Sequence, residues 1–383
     1  MSTGYKHLFQ RALAAAPGRL HFAAHSHHLW PDASHVGQIA AWQDAARLAD
    51  RKWDRIMGEL WQAAQRHVAD ELKLPDPATV AFAANTHDFL IRLASAIEKR
   101  PFRILASDGE FHSFRRQAAR WEEAGIALVE RVPVAGGDFA ERFVAAARAG
   151  GHDLIVVSEI MFGSGAHFDR IADLAALARP EGPWVLVDGY HSFMAIETDY
   201  AAVADGVFFT TGGYKYAMSG EGVGILHAPP GFAPRPVTTG WFAEFDDLKL
   251  APGGAGYAPD ARRFLGATFD ATGLYRFVAV RDMLACEWLT TAAINAHVAP
   301  LRAQLLAGLA GTPLGAAELL NPPGNGPVAR FVALRSPEAQ RWHHALMARD
   351  VVTDVRGEVL RIGLGLYHDA RDVDALLAEA AGL

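Results

Sequence analysis

Asp188 and Lys215 are the two residues whose types and surroundings say most about the chemistry open to this chain. Trp184-Val-Leu-Val-Asp188 reads as a buried strand ending in a carboxylate, with His191 just beyond it. The next apolar run, Val207-Phe-Phe-Thr210, leads into Thr211-Gly-Gly-Tyr214-Lys215 and then into Gly220-Glu-Gly-Val-Gly224. Two adjacent parallel strands would present the Asp and the Lys at one edge of a sheet. That pairing suits pyridoxal 5′-phosphate (PLP). An amine condenses with its aldehyde as a Schiff base, and a carboxylate keeps its pyridine nitrogen protonated, so that the ring draws electrons from a substrate Cα. Alone, Asp188 could cap a helix and Lys215 could be a surface lysine in a glycine-rich turn. Their joint strand context selects the cofactor reading. His191 is placed to stack on or hydrogen-bond near the cofactor phenolate or Asp188.

The elements around this pair alternate. Asp44 to Leu74 is helix-like, Thr79 to Ala84 strand-like, and Thr86 to Glu98 helical. Arg103 to Ala106 is a short strand and Phe114 to Ala124 a helix. Leu154 to Val157 is another β-rich run, Phe168 to Ala178 a helix, and Trp184 to Val187 and Val207 to Thr210 are strands. Strand, helix, strand in this order predicts an α/β fold with a mostly parallel central sheet, whose ligands sit at the carboxyl ends of its strands. After about Gly231 the pattern breaks at Pro229, Pro230, Pro234 and Pro236, and a loop rich in Gly and Pro runs from Ala251 to Pro259. Leu274 to Leu309 reads as one long helical connector. Val351 to Arg356 and Val359 to Leu364 read as a hairpin turned at Gly357-Glu358, followed by a helix from Arg371 to Ala381. The expected organisation is an N-terminal segment 1–35 that packs on either domain, a large domain 36–235, and a smaller α+β domain 236–383.

Composition excludes other classes. The 383 residues are 51% hydrophobic and 21% charged, with net charge −7 and no Lys/Arg-rich block, so neither nucleic acid nor an anionic membrane is an expected partner. No secretory-type apolar stretch opens the chain and none is long enough to span a membrane; a cytoplasmic protein is expected. The single cysteine, Cys286, leaves no intrachain disulfide framework and no cysteine-rich zinc site. His25, His27 and His28, with His343 and His344, lack the spacing of a metal site, and no metal is expected. The glycines at 220, 222 and 224 fail as a dinucleotide fingerprint, because His227 stands where a third glycine belongs. No Gly-x-Ser-x-Gly elbow supports a serine hydrolase.

The block from Trp184 to Leu226 resembles fold-type I PLP enzymes, in particular the class V aminotransferase superfamily and its kynureninase branch. Asp188-Gly-Tyr-His191 matches the family's Asp-x-x-His, Tyr214-Lys215-Tyr216 is similar to the cofactor-lysine motif of that branch, and Ser158-Glu-Ile-Met-Phe-Gly-Ser-Gly165 resembles the segment after the preceding strand. The resemblance implies a PLP-dependent transferase fold in which Tyr214 binds the cofactor phosphate. It assigns Asn85, Thr86 and His87, at a strand-to-helix turn, to the same phosphate, a place where a helix N-terminus favours an anion. It places a stacking ring at Phe111-His112, with His112 preferred over Phe111. Trp241 and Thr268 resemble positions that reach the phosphate of a neighbouring subunit, which implies a homodimer with shared active sites; a buried core Trp is the alternative for Trp241. Arg361, in Val359-Leu-Arg-Ile-Gly363, corresponds to an arginine that grips the substrate α-carboxylate, a task for which a bidentate guanidinium suits.

Departures from the family pattern fall on the substrate side. Ala24-His25-Ser26-His27-His28-Leu29-Trp30-Pro31 replaces the kynureninase Asn-Ser-Leu-Gly-type segment, and Phe111-His-Ser-Phe114 replaces its Phe-Pro-x-Asp turn. Kynurenine is therefore in doubt as substrate, and His25 or His27 becomes a candidate substrate contact. A cysteine desulfurase is disfavoured, since Cys286 sits in a helix-like run. The expectation is a PLP enzyme acting at the α-amino group of an amino acid, a small-molecule substrate, with Lys215 as the base at Cα. Transamination and a kynureninase-type hydrolase or lyase reaction stay open, and a PLP-binding protein without turnover is the distant alternative.

Overall fold

The computed structural model describes residues 4–247, 254–324 and 326–383, so the start of the Gly/Pro-rich loop from Ala251 lies outside the described residues. Its centre is a seven-stranded sheet of β1 (Val80–Ala83), β2 (Phe102–Ser107), β3 (Ala127–Val132), β4 (Leu154–Ser158), β5 (Trp184–Asp188), β6 (Phe208–Gly212) and β7 (Gly224–His227). The spatial order is β1-β7-β6-β5-β4-β2-β3. Only β7 runs against its neighbours; the pairs β6-β5, β5-β4, β4-β2 and β2-β3 are parallel. β4 is buried throughout and β5 at all but its last residue, which is why both read as unbroken apolar runs. The α/β fold with a mostly parallel sheet is the one expected.

β3 escaped the pattern reading. It is an edge strand whose central residues, Leu128 to Arg131, are half-buried or exposed, so it carries no strong apolar signal. The helix Phe139–Ala149 that follows it was likewise not anticipated. The helix expected over Phe168 to Ala178 shrinks to Ile171–Ala175, because the Phe168 N–H bonds back to the Glu159 carbonyl at 2.8 Å. The connector expected as one helix is two, Thr272–Cys286 and Thr291–Leu309. Trp288 turns the chain at φ 57°, and Thr290 caps the second helix by accepting from the Ala293 N–H at 3.1 Å.

A second sheet of four strands, β8 (Glu318–Leu319), β9 (Phe331–Arg335), β10 (Asp354–Arg356) and β11 (Val359–Gly363), has the order β10-β11-β9-β8. β10 and β11 form a hairpin that turns through Gly357 at φ 57°, a left-handed conformation glycine adopts without strain. The N-terminal segment is tied to this end of the chain. Leu20–His21 pairs in parallel with Val351–Val352, and Ala23 bridges to Gly363. It then crosses to the central sheet, where the His28 N–H donates to the Tyr214 carbonyl at 2.9 Å. Among the described residues, no helix is long and apolar enough to cross a membrane.

Candidate active site

Parallel register sets Ser158, Asp188 and Thr210 side by side at the carboxyl ends of β4, β5 and β6. Beyond β6 the chain makes a closed turn. The Gly213 N–H donates to the Val223 carbonyl at 2.8 Å and the Ser219 N–H to the Gly213 carbonyl at 2.9 Å. A Cβ at Gly213 would stand 2.4 Å from the Ser219 Oγ, so only glycine lets the turn close. This turn delivers Lys215, buried, over the strand ends. Its Nζ lies 2.9 Å from His191 Nε2 and 3.3 Å from Nδ1, and sits over the rings of Tyr190 at 4.8 Å and Phe111 at 5.5 Å.

Burial drives the Lys215 ammonium down to about 7, Asp188 pulling it back up and Arg361 adding to the fall. Burial also holds the His191 imidazolium well below the usual histidine range, with the Lys215 charge acting in the same sense. His191 is therefore a neutral partner to the lysine. The Asp188 carboxyl is pushed up by desolvation, against the Tyr190 N–H that donates to its Oδ1 at 2.9 Å and the Lys215 charge.

A cavity of about 240 Å³ opens in front of these groups, walled by Thr86, Phe111, Asp188, Tyr190, Thr210 and Tyr214 among others. Asn85 and His87 also border it. Asn85 caps the helix Thr86–Ser95 by accepting from the Asp88 N–H at 3.0 Å, and Thr86 and His87, the first two residues of that helix, border the cavity. The close approach of β7 requires Gly224, since a Cβ there would fall 2.4 Å from the Asn85 carbonyl carbon. Lys215, His191, Asp188, Tyr214, Asn85, Thr86 and His87 are thus brought together.

The two candidate stacking rings are placed differently. Phe111 borders the cavity, whereas His112 begins the next helix, is exposed, and lies outside the cavity wall. Residue 111 is the last extended residue before that helix, so its side chain still points inward. Trp241 and Thr268 are not at this cavity either. Trp241 is 45% exposed, which removes the core alternative, and Thr268 is exposed. Their segments run together, the Phe242 N–H donating to the Gly266 carbonyl at 3.1 Å.

Arg361 is 2% exposed and already partnered, which was not expected of a residue waiting for substrate. Its Nη2 donates to Asp354 Oδ2 and its Nη1 to the Phe162 carbonyl at 2.5 Å. Its Nε has no partner. Of the clustered histidines, His25 is fully buried, stacked on Phe331 at 4.8 Å, with neither ring nitrogen hydrogen-bonded. His27 is exposed and stacks on Tyr214 at 4.9 Å, so it stands at the rim. His28 turns into the core, its Nδ1 against the Leu29 carbonyl at 2.7 Å. The three neighbours face three different surroundings.

Sequence reasoning missed three residues of the site. Tyr190, inside the quoted Asp188–His191 run, forms cavity wall and lies under the lysine. Glu110 is a buried carboxyl between Ser107 Oγ at 2.6 Å and Ser158 Oγ at 2.6 Å. Asp354 faces Arg361 across the hairpin, and the turn at Gly357-Glu358 was signal enough to find it.

No protein-family model matches the chain. It is 29% identical over 365 residues to isopenicillin N epimerase of Streptomyces clavuligerus, covering 86% of this chain and 87% of that protein. It is 27% identical over 350 residues to a probable cysteine desulfurase of Pseudomonas aeruginosa, covering 82% and 80%. Its fold matches that of the cystine C–S lyase C-DES, solved with its product cysteine persulfide, at TM-score 0.80, 19% identity and 96% and 99% coverage. A C-DES variant carrying glycine linked to its PLP cofactor matches at TM-score 0.79 and 18% identity, over 98% of each chain.

Proposed function

We propose that this chain is a PLP-dependent enzyme of fold type I, in the class V aminotransferase superfamily, that removes the α-proton of an amino acid with a free carboxylate. The observation that carries this reading is Lys215, a buried amine close to neutrality between neutral His191 and the Asp188 strand end.

The residues fit the cofactor. Lys215 supplies the amine for its aldehyde. Asp188 accepts from the Tyr190 N–H, and among the described residues no other donor reaches its carboxylate, which leaves an oxygen for a pyridine N–H. The helix start at Asn85, Thr86 and His87 offers N–H groups and a hydroxyl to a phosphate. Tyr214 adds its hydroxyl there, and Phe111 gives the ring wall. When bound, PLP supplies the aldehyde that holds the substrate amine and the protonated ring that takes up electrons as the Cα–H bond breaks. With the cofactor bound, Lys215 would be the base that takes the Cα proton; an amine with its proton affinity near neutral pH suits both removal and return. His191 keeps Lys215 in place, and Arg361 orients the carboxylate.

Residues 36–235 carry the cofactor in this reading, residues 236–383 bring Arg361, and segment 1–35 joins the two. The exposed Trp241 and Thr268 serve the phosphate of a partner subunit in a homodimer. Proton removal at Cα is shared by stereochemical inversion and by C–S elimination, the reactions named for the relatives. Cys286 ends a helix at the surface and is given no part in this reading. Transamination and Cβ–Cγ cleavage start from the same step.

The experiment is an absorbance scan followed by incubation in D2O. Purified protein with PLP is expected to show a visible band that borohydride fixes and Lys215→Ala abolishes. Protein that stays colourless with excess PLP overturns the reading. With a panel of amino acids in D2O, deuterium should enter at Cα, and the products separate the D-isomer, sulfide with an oxo acid, and transamination.

A further inference from the structure

Arg361 is the donor assigned above to the substrate carboxylate, yet its guanidinium is not free to make that contact bidentately. Side-on recognition uses Nε and Nη2 together. Nε is buried without a partner, while Nη2 is taken by Asp354 Oδ2. Nη1, held by the Phe162 carbonyl at 2.5 Å, fixes the plane of the group. One edge is therefore half-prepared for an anion, and a resident carboxylate occupies the other half.

The same Asp354 oxygen has a second guanidinium and a neutral imidazole within reach, since burial and the Arg361 charge hold the His25 imidazolium well below the usual histidine range. Arg356 Nη2 lies 3.4 Å from it and His25 Nε2 3.7 Å. Arg356 is on the hairpin strand of Asp354 itself, and its side chain is 41% exposed. No other carboxylate pairs with Arg356 among the described residues. Two guanidiniums thus share one carboxylate, and the cluster holds one positive charge in excess. An incoming carboxylate cancels it. Asp354 needs no backbone movement to change partner, since Arg356 is already beside it.

We propose that Asp354 is a positioning residue that acts as a displaceable counterion: it neutralises Arg361 in the resting site, and the substrate carboxylate takes over Nη2 while Asp354 passes to Arg356. No bond is made or broken; one ion pair becomes two. The exchange restricts the site to substrates that bring a carboxylate to this edge, because a neutral group cannot replace Asp354 on a buried guanidinium without leaving it unpaired. The inference rests on the reading of Arg361 as the carboxylate ligand.

The test titrates the holoenzyme with glycine and with glycinamide and follows the visible cofactor band. Wild type should bind glycine more tightly than glycinamide. Asp354→Asn removes the competing charge while keeping the shape, and should tighten glycine about tenfold with glycinamide unchanged. Arg356→Gln removes the receiving cation and should weaken glycine about tenfold, again without effect on glycinamide. Equal changes for acid and amide in these variants would mark Asp354 as merely structural and overturn the exchange, as would no change for the acid. Arg361→Gln separates the two levels. If it abolishes the acid preference while Asp354→Asn does nothing, only the exchange is wrong; if the preference survives, or wild type shows none, the carboxylate reading falls and takes the exchange with it.

Discussion

Lys215 Nζ lies 2.9 Å from His191 Nε2 in a setting that depresses the proton affinity of both groups. For the lysine the folded-state value is about 7 against 10.5 for the free side chain. The unfolded chain therefore binds more protons than the folded one between these values, and the stability of the cofactor-free protein should rise with pH across that window. Below about 7 the cost of burying the ammonium is felt in full. Replacing the amine with an apolar chain of similar length removes that cost. Cofactor-free Lys215→Met should exceed wild type in denaturant stability by a few kcal/mol at pH 6, with the gap closing by pH 10. A constant gap over that range would show that the lysine is not held near neutrality.

Glu110 carries the opposite sign. Its carboxyl is pushed up to about 7 by burial, with the donors of Ser107 and Ser158 opposing and the Asp188 charge adding to the rise. The folded state holds its proton more tightly than the unfolded chain, so stability contributed by the protonated acid is present below about 4.5 and lost as pH climbs through 7. Glu110→Gln cannot ionise. Its stability should fall less than that of wild type between pH 4.5 and pH 7, by roughly 1–3 kcal/mol in urea unfolding. Parallel pH curves for the two proteins would refute this.

Phe111 and His112 give a paired comparison. Only Phe111 borders the cavity, so Phe111→Ala should weaken PLP retention about tenfold through lost ring contact, measured by cofactor release in dialysis or by titration of the cofactor-free protein. His112→Ala should stay within about twofold. The reverse order would return the stacking role to the histidine.

How much of this was legible in the sequence depends on what each residue's neighbours are. β4 and β5 were readable because burial leaves an unbroken apolar run, and Asp188 at the end of β5 followed from it. β3 was not, because an edge strand needs no apolar face. The choice between Phe111 and His112 turned on where a helix begins, and one residue of phase decides which ring points inward. Asp354 was within reach of a sequence argument. A hairpin turned at Gly357-Glu358 sets 356 opposite 359, 355 opposite 360, and hence Asp354 opposite Arg361. The burial of His25 was not, since it depends on Gly363, from a distant strand, where a Cβ would lie 2.0 Å from the His25 Nδ1.

The exposed Trp241 and Thr268 yield the last prediction, which concerns two chains at once. If Thr268 completes the phosphate site of a partner, Lys215→Ala and Thr268→Ala damage different places when the subunits are mixed. In the hybrid dimer one site combines both lesions. The other has an intact Lys215 and, from the Lys215→Ala partner, an intact Thr268, so it should hold PLP as wild type does. Each variant alone should be defective, Lys215→Ala in forming the visible band and Thr268→Ala in retaining cofactor, about tenfold for a lost charge-assisted hydrogen bond. Mixing after mild dissociation should then restore a tightly held visible band, at most in one site per hybrid dimer. If Thr268 instead served its own chain, every site of the hybrid would carry one lesion and nothing would be restored. Recovery therefore separates a shared site from a private one, and Trp241→Ala in place of Thr268→Ala repeats the test on the neighbouring segment.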